Sequence, residues 1–413
     1  MDEPPLAAAG DQRPDDRGAG MDMSLAASDP RTRESATTLS VYGQLPFVPV
    51  SGSGCDIVTE DQRRILDLYG GHAVAALGYG DPRLVKAIGA QAQLLLFQSN
   101  AVALEVRAKA AETLLGVAPA NLRRVFFVNS GAEANENALR MACVATARRK
   151  VLAITHGFHG RTAAAAAVTW SADKWYGFPQ KPFAVEFIPR DDCDSAKAMI
   201  SDQVAAVIVE PVQGLAGAYD LSAEFLGTLR KQCTLHGALL IADEVQSGIG
   251  RCGHFFAVQA YGIEPDIITA AKALGGGIPC GAVLCGNELA ARFGPGDLGT
   301  TFGGGPIAAA AIVAVIDAIR HDRLLDNVRA REIQIREQCV VGPVRKIQGM
   351  GLLLGLVCDR PAVEVRNALL EHDIFAGISA DPQVLRILAP LILEPRHVDR
   401  LAEALLSLAP ATC

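Results

Sequence analysis

Several things are scarce in this sequence. Cysteines are present (Cys55, Cys143, Cys193, Cys233, Cys252, Cys280, Cys285, Cys339, Cys358 and Cys413), but no two stand at CxxC spacing. In a chain this long, their scatter argues against a disulfide framework and for a reduced, cytoplasmic protein. Positive charge is in deficit: 38 Lys and Arg against 45 Asp and Glu leave a net charge of −7. That balance gives no broad attraction for nucleic acid or anionic lipid, so an anionic ligand has to be held by a few local cations or backbone donors. No apolar run reaches the roughly 18 residues of a membrane span. The acidic, Pro-rich start MDEPPLAAAGDQRPDDRGAG lacks the basic and apolar regions of a secretory signal. No internal repeat is evident. Aromatics make up only 5%, but hydrophobic residues reach 50% and charged residues 20%, a balance that excludes a mainly disordered chain.

What is there is enough chain, 413 residues, for a large core and more than one domain. Residues 1–38 combine Pro, Gly, Asp, Arg and Ser without hydrophobic periodicity and read as a disordered tail, in which Met21 and Met23 offer later starts. Short β-like runs, CDIVTED and RRILDLY, come next, then a helix from about Pro82 to Leu96. From Val125 the pattern alternates apolar strands with helices. VFFVNSG leads into a helix from Ala132 to Ala147, and VLAIT, VAAVIVE, ALLIADE, DIITA and GAVLC are further strands. Runs this short and apolar suit strands buried on both faces of a mainly parallel sheet. The expected organisation is an α/β protein with a large domain over 75–325. A smaller α+β domain is built from 39–74 and 326–413, the latter containing LLLGLVC, AVEVRNALLEH, QVLRILA and a final helix.

Chemistry concentrates in IADEVQSG and ITAAKALGGG. The first places Asp243 at the carboxyl end of a strand, where open α/β sheets build their sites, and the second places Lys272 just after the next strand. A desolvated lysine is nucleophilic enough to form an imine with an aldehyde. A carboxylate against a pyridine nitrogen keeps that ring protonated and electron-withdrawing. Taken singly, Asp243 reads better as a helix cap and Lys272 as a surface charge; only their neighbours make the pair specific. In NSGAEANENALRMA, Ser130, Gly131 and Ala132 turn from a strand into a helix, either a phosphate site at the helix N-terminus or an ordinary capped turn with Glu133. In HGFHGRT, Phe158 can lie against a ring and Arg161 can take a carboxylate bidentately. His156 and His159 also permit a metal reading, but no carboxylate or Cys stands nearby at ligand spacing. GGGIPCG does not have the GxGxxG spacing of a dinucleotide site.

Over about residues 40–407 the chain resembles the class III, fold-type I aminotransferases, closest to the acetylornithine and ornithine group. The resemblance runs in order through YGQLPFVPVSGSGCDIVTEDQRRILDLYGGHAVAALGYGDPRL, NSGAEANENALRMA, HGFHGRT, VEPVQG, HGALLIADEVQSGIGRCGHFFA, PDIITAAKALGGGIPCGA, TTFGGGPIA and VLRILAPLIL. It implies a seven-stranded type of large sheet and pyridoxal 5′-phosphate as cofactor. Lys272 would carry the cofactor as a Schiff base and move the proton, and Asp243 would pair with the pyridinium. Phe158 and Val245 would sandwich the ring, with Gln246 near its phenolic oxygen and His159 and Glu210 among the cofactor-binding residues. The turn Ser130, Gly131 and Ala132 would take the phosphate, and Thr301 would reach the phosphate of the neighbouring subunit, which implies a homodimer with shared active sites. Arg161 and Arg386 match arginines for substrate carboxylates. Without the resemblance, Thr301 reads as a helix cap and Arg386 as a surface charge.

Two positions depart from the family pattern. EPVQGLAG carries Leu215 where the family has a second Glu, the acid that pairs with the Arg386 equivalent in ornithine-type enzymes, and TTFGGGPIA carries Gly305 where the family has Asn. The expected activity is transfer of an amino group from an N-acetylornithine-like ω-amine or an amino acid to an oxo acid such as 2-oxoglutarate. The alternatives are an aminomutase or α-amino-acid enzyme of specialised metabolism, and a non-catalytic binding module.

Overall fold

The computed structural model describes residues 29–408. Most of the expected tail, 1–28, lies outside the described residues. The rest of it corrects the expectation, because Pro30–Thr37 is a helix. Asp29 accepts from the Arg31 N–H and Pro30 fills the first helical position, where its missing N–H costs nothing.

Strands are numbered along the chain. β1 (Pro49–Ser53), β2 (Asp56–Thr59) and β3 (Arg64–Asp67) form an antiparallel N-terminal sheet. The large sheet contains β4 (Arg124–Val128), β5 (Lys150–Ile154), β6 (Ala184–Ile188) and β7 (Val204–Val209). A two-residue hairpin, β8 (Val212–Gln213) and β9 (Tyr219–Asp220), precedes its remaining strands, β10 (Leu239–Asp243), β11 (Ile267–Ala270) and β12 (Gly281–Cys285). The C-terminal segment supplies β13 (Val344–Met350), β14 (Leu353–Cys358), β15 (Ile374–Phe375), β16 (Gly377–Ile378) and β17 (Val384–Ile387). Of these, β15 pairs with β3 of the N-terminal sheet and the other four form a sheet of their own, so the two ends of the chain are stitched together.

The large sheet has the order β4-β12-β11-β10-β7-β5-β6. Its pairs from β11 through β6 are parallel, while β12 runs antiparallel to both β11 and β4. Alternation along the strands feeds two cores. Val151 and Ala153 of β5 and Ala206 and Ile208 of β7 pack with the helix Gly131–Thr146 through Ala134, Ala138 and Leu139. Leu152, Ile154, Val207 and Val209 point the other way, onto Phe225, Leu226 and Leu229 of the helix Ala223–His236. A period of two with both faces apolar is what a sheet covered by helices on both sides requires.

The expected elements recur with small shifts. The first large helix ends at Leu94, and the second begins at Gly131 and stops at Thr146, where Ala147 turns into the left-handed region.

Candidate active site

Parallel strands present their carboxyl ends at one edge of the sheet, and the candidate residues gather there. β4 leads to Ser130–Ala132, β5 to Phe158–Arg161, β7 to Glu210, β10 to Asp243 and β11 to Lys272. The reversed β12 brings its start to the same edge, so Ile278, Pro279 and Cys280 close one wall. Together with Arg386 from β17 and His72 from the N-terminal segment, they line a cavity of about 690 Å³. Every candidate site residue borders this cavity except Thr301, which is exposed on the surface.

Asp243 is buried, and its side-chain oxygens are met by three donors. The Val245 N–H donates to Oδ1 at 3.0 Å, and Asn135 Nδ2 and His159 Nδ1 both reach Oδ2 at 2.7 Å. Asn135 is itself fixed, since its Oδ1 accepts from Thr269 Oγ1 at 2.7 Å and its Nδ2 also reaches the His159 carbonyl at 2.8 Å. Thr269 stands opposite Asp243 in the β10–β11 register, so helix, strand and loop converge on one carboxylate. His159 is therefore an orienting partner of Asp243. His156 is not among the residues lining the cavity, and its ring lies 5.7 Å from that of Trp170.

Glu210 is the second buried acid. Its Oε1 accepts from the Phe158 N–H at 2.8 Å and its Oε2 from the Gly214 N–H at 3.3 Å. Burial still raises its carboxyl to about 7, against the pull of His159 and with the push of Asp243. Lys272 shows the reverse effect. Burial lowers its ammonium pKa, with Asp243 and Glu210 opposing and Arg386 assisting, which favours the neutral amine that imine formation needs. Its φ of 46° lies in the left-handed region that a lysine adopts only at a cost, as residues at functional sites often do.

The helix that follows β4 begins at Gly131, with Ser130 Oγ accepting from the Glu133 N–H at 3.1 Å. Glu133 in turn accepts from the Asn129 N–H at 2.8 Å. The capped-turn reading thus accounts for the Ser130 hydroxyl, and the N–H groups of Gly131 and Ala132 remain at the positive end of the helix, facing the cavity. A Cβ on Gly131 would lie 2.6 Å from Val245 Cγ1, so only glycine lets the turn close on the wall beneath Asp243.

The two arginines differ. Arg161 is exposed at the mouth, stacked 4.5 Å over the Trp175 ring, an arrangement its motif gave no sign of. Arg386 is buried. Its Nε donates to the Ile378 carbonyl at 2.8 Å, Nη1 to the Gly214 carbonyl at 3.3 Å and Nη2 to the Tyr69 hydroxyl at 3.2 Å. Leu215 lines the cavity beside it. Gly305 caps the helix Pro306–His321 through its carbonyl, which accepts from the Ala309 N–H, and nothing in the structure explains glycine there rather than another residue. Sequence reasoning missed Asn135, Thr269, Tyr69 and His72. Asn135 lies within the quoted helix, one turn inside its N-terminus on the sheet-facing side, and that position was the available signal.

The arrangement fits pyridoxal phosphate on its own terms. It combines a satisfied, buried carboxylate for a ring nitrogen, a partly desolvated amine for an aldehyde and a helix N-terminus for a phosphate.

Comparison with known proteins agrees. Residues 39–408 match the family model Aminotransferase class-III. The acetylornithine aminotransferase of Corynebacterium efficiens is 40% identical over 377 residues, covering 89% of this chain and 93% of the relative. A succinylornithine transaminase/acetylornithine aminotransferase of Pseudomonas aeruginosa is 36% identical, covering 87% and 91%. Among solved structures, ornithine aminotransferase from Toxoplasma gondii superimposes with a TM-score of 0.86 at 26% identity, over 92% of this chain and 93% of that one. Acetylornithine aminotransferase from Elizabethkingia anophelis gives 0.82 at 26% identity, over 91% and 98%.

Proposed function

The chain belongs to the class III aminotransferases, pyridoxal-phosphate-dependent transaminases, and we propose that it takes the amino group of an N-acetylornithine-like ω-amine and delivers it to 2-oxoglutarate. The observation that carries this reading is the cavity where buried Asp243 and Arg386 meet the half-buried Lys272, together with relatives that share the chain almost end to end.

Bound pyridoxal phosphate supplies the electron-withdrawing ring that lets the substrate's amino carbon lose a proton. Asp243, held as an anion by Asn135, His159 and Val245, is placed to hold a proton on the ring nitrogen. Lys272 would hold the cofactor through its amine, and the same amine would move the proton at the substrate's Cα. Phe158 and Val245 would wall the ring, Gln246 would stand near its phenolic oxygen, and Gly131 and Ala132 would hold the phosphate through their N–H groups; all five border the cavity. Arg386 receives a carboxylate next to the reacting carbon, while Arg161 at the mouth receives the distal carboxylate.

The working unit we propose is a homodimer in the cytoplasm, with Thr301 serving the neighbouring site. Exposed Leu94, Leu96 and Phe302 form an apolar surface beside Thr301, and the Phe97 and Phe302 rings lie 5.1 Å apart within it. One observation favours a second reading with α-amino-acid donors: among the described residues Arg386 has no acidic hydrogen-bond partner, which leaves its charge available to an α-carboxylate.

Single-turnover mixing of the cofactor-loaded enzyme with N-acetylornithine, ornithine or glutamate, following the colour change to the amino form of the cofactor, tests both readings. N-acetylornithine should react at a rate comparable with glutamate. Reaction with α-amino acids alone would replace the first reading with the second.

A further inference from the structure

Arg386 projects from β17, opposite Gly377 of β16. A guanidinium has five N–H groups. Three of them go to the Ile378 carbonyl, the Gly214 carbonyl and the Tyr69 hydroxyl, leaving one on each terminal nitrogen without a partner among the described residues. That is the pair a carboxylate takes bidentately. All three fixed acceptors are uncharged, so they orient the group without neutralising it.

The Tyr69 hydroxyl has a single proton. Arg386 is a donor and cannot take that proton, and the one other partner of the hydroxyl among the described residues is His72 Nδ1, 2.6 Å away, so the phenol donates there and His72 is assigned the neutral tautomer protonated at Nε2. Burial and the nearby cations Arg386 and Lys272 lower the His72 pKa and keep the ring neutral. The backbone is shaped for this relay. Asp67 Oδ1 accepts from the N–H groups of Tyr69 and Gly70, and Gly70 to Ala73 all take positive φ, a left-handed turn that carries His72 back over Tyr69. The Tyr69 ring lies directly over Gly377, where any Cβ would overlap it, and packs on Phe375 at 5.4 Å.

We infer that Tyr69, backed by His72, is the positioning residue of the carboxylate-binding arginine, a neutral clamp that holds the guanidinium without masking its charge. The clamp fixes Nη2 in the plane that presents both free N–H groups to the cavity, and His72 fixes the phenol's proton so that its lone pair faces Arg386. Tyr69 itself does not line the cavity, whereas His72 does. This inference rests on the proposed role of Arg386 as a carboxylate receptor.

The test is Tyr69→Phe, which keeps the ring over Gly377 and removes only the hydroxyl. Glutarate, a dicarboxylate with no oxo group to react, is titrated calorimetrically into the cofactor-loaded wild-type enzyme and the variant. The expected result is roughly tenfold weaker glutarate binding, the effect of one lost charge-assisted hydrogen bond. A matching rise in the KM for 2-oxoglutarate is expected with kcat nearly unchanged. His72→Asn, whose amide oxygen can replace Nδ1 as the acceptor, should bind glutarate close to wild type, and His72→Leu should follow Tyr69→Phe. Unchanged glutarate affinity in Tyr69→Phe overturns the clamp. If Arg386→Gln leaves wild-type glutarate binding intact, the receptor role of Arg386 fails instead, and the two failures are distinguishable.

Discussion

His159 Nδ1 lies 2.7 Å from Asp243 Oδ2, with both side chains buried. An ionised carboxylate only accepts, so Nδ1 carries the proton, and Nε2 has no hydrogen-bond partner among the described residues. The histidine is a donor to Asp243 more than a group of the cavity. His159→Ala should remove a charge-assisted bond of about 1.5–3 kcal/mol, weakening cofactor binding roughly ten- to hundredfold. Asn135 and the Val245 N–H still hold the carboxylate, so the loss should stay well short of that in Asp243→Ala, where proton removal from the substrate should slow by several orders of magnitude. Titrating apoenzyme with cofactor checks the first. Wild-type affinity in His159→Ala would show that the contact orients nothing.

Lys272 carries two effects that mutation can separate. Removing its amine should abolish turnover in both Lys272→Ala and Lys272→Gly, with the fold intact by circular dichroism. The left-handed backbone at this position remains in both variants, and only glycine adopts it without strain. Lys272→Gly should therefore resist urea better than Lys272→Ala by about 1 kcal/mol. Equal stabilities would mean that the backbone relaxes once the side chain is gone.

Which parts of this were legible in the sequence follows from the physics of each part. Asp243, Lys272 and the turn at Gly131 sit at strand ends, and short apolar runs mark strand ends well. Direction is not marked. β12 is buried along its whole length like β7 and β11, so its reversal left no trace in the hydrophobic pattern. The hold of Asn135 on Asp243 depends on how closely a helix approaches a strand over a long sequence separation. The stacking of Arg161 on Trp175 depends on a loop path. The helix Pro30–Thr37 was legible through Asp29 followed by Pro30, but the polar composition around it obscured that signal.

Glu244 gives a pH dependence that does not involve turnover. It is fully buried, accepting from Ser247 Oγ and from the Val258 N–H at 2.8 Å, and burial raises its carboxyl from 4.5 to about 7. Because the folded value is raised, its contribution to stability is complete below about 4.5 and is lost as pH rises through about 7. Glu244→Gln keeps both hydrogen bonds without the ionisation. The variant should gain on wild type between these pH values, by on the order of 2–3 kcal/mol at pH 8. Glu210, raised to the same range, should keep part of the wild-type slope in both proteins. Urea titrations at pH 5 and pH 8 measure the difference, and parallel losses in the two proteins would contradict it.

The apolar surface beside Thr301 predicts an assembly that activity depends on. Leu96 and Phe302 are 66% and 64% exposed, which is a large apolar cost for a lone chain. If the proposed homodimer forms through this surface, Leu96→Asp combined with Phe302→Asp should give monomers, and these should lose activity together with the phosphate contact proposed for Thr301. Sedimentation at low concentration, run beside an activity assay, decides the matter. A fully active monomer would refute shared sites.

Leu215 offers the most direct test of how Arg386 is used. It follows Gly214, whose carbonyl already holds Arg386 Nη1, and its own carbonyl accepts from the Ala380 N–H at 2.8 Å, so a longer acidic side chain there would start beside the guanidinium. Leu215→Glu should let a carboxylate occupy the two free N–H groups. The new pair would be partly exposed, as Leu215 is at 37%, so its strength is discounted from the roughly 1.5–3 kcal/mol of a charge-assisted bond. About 1.4 kcal/mol corresponds to a factor of ten, so the KM for 2-oxoglutarate should rise roughly tenfold. A donor that brings no carboxylate to Arg386 should be spared or even favoured, because the arginine no longer sits uncompensated while that donor reacts. If Leu215 serves only as an apolar wall, the new acid should harm donor and acceptor alike and lower the melting temperature. Measuring KM for the two substrates separately distinguishes these outcomes, and equal losses would show that the charge on Arg386 is not what Leu215 leaves free.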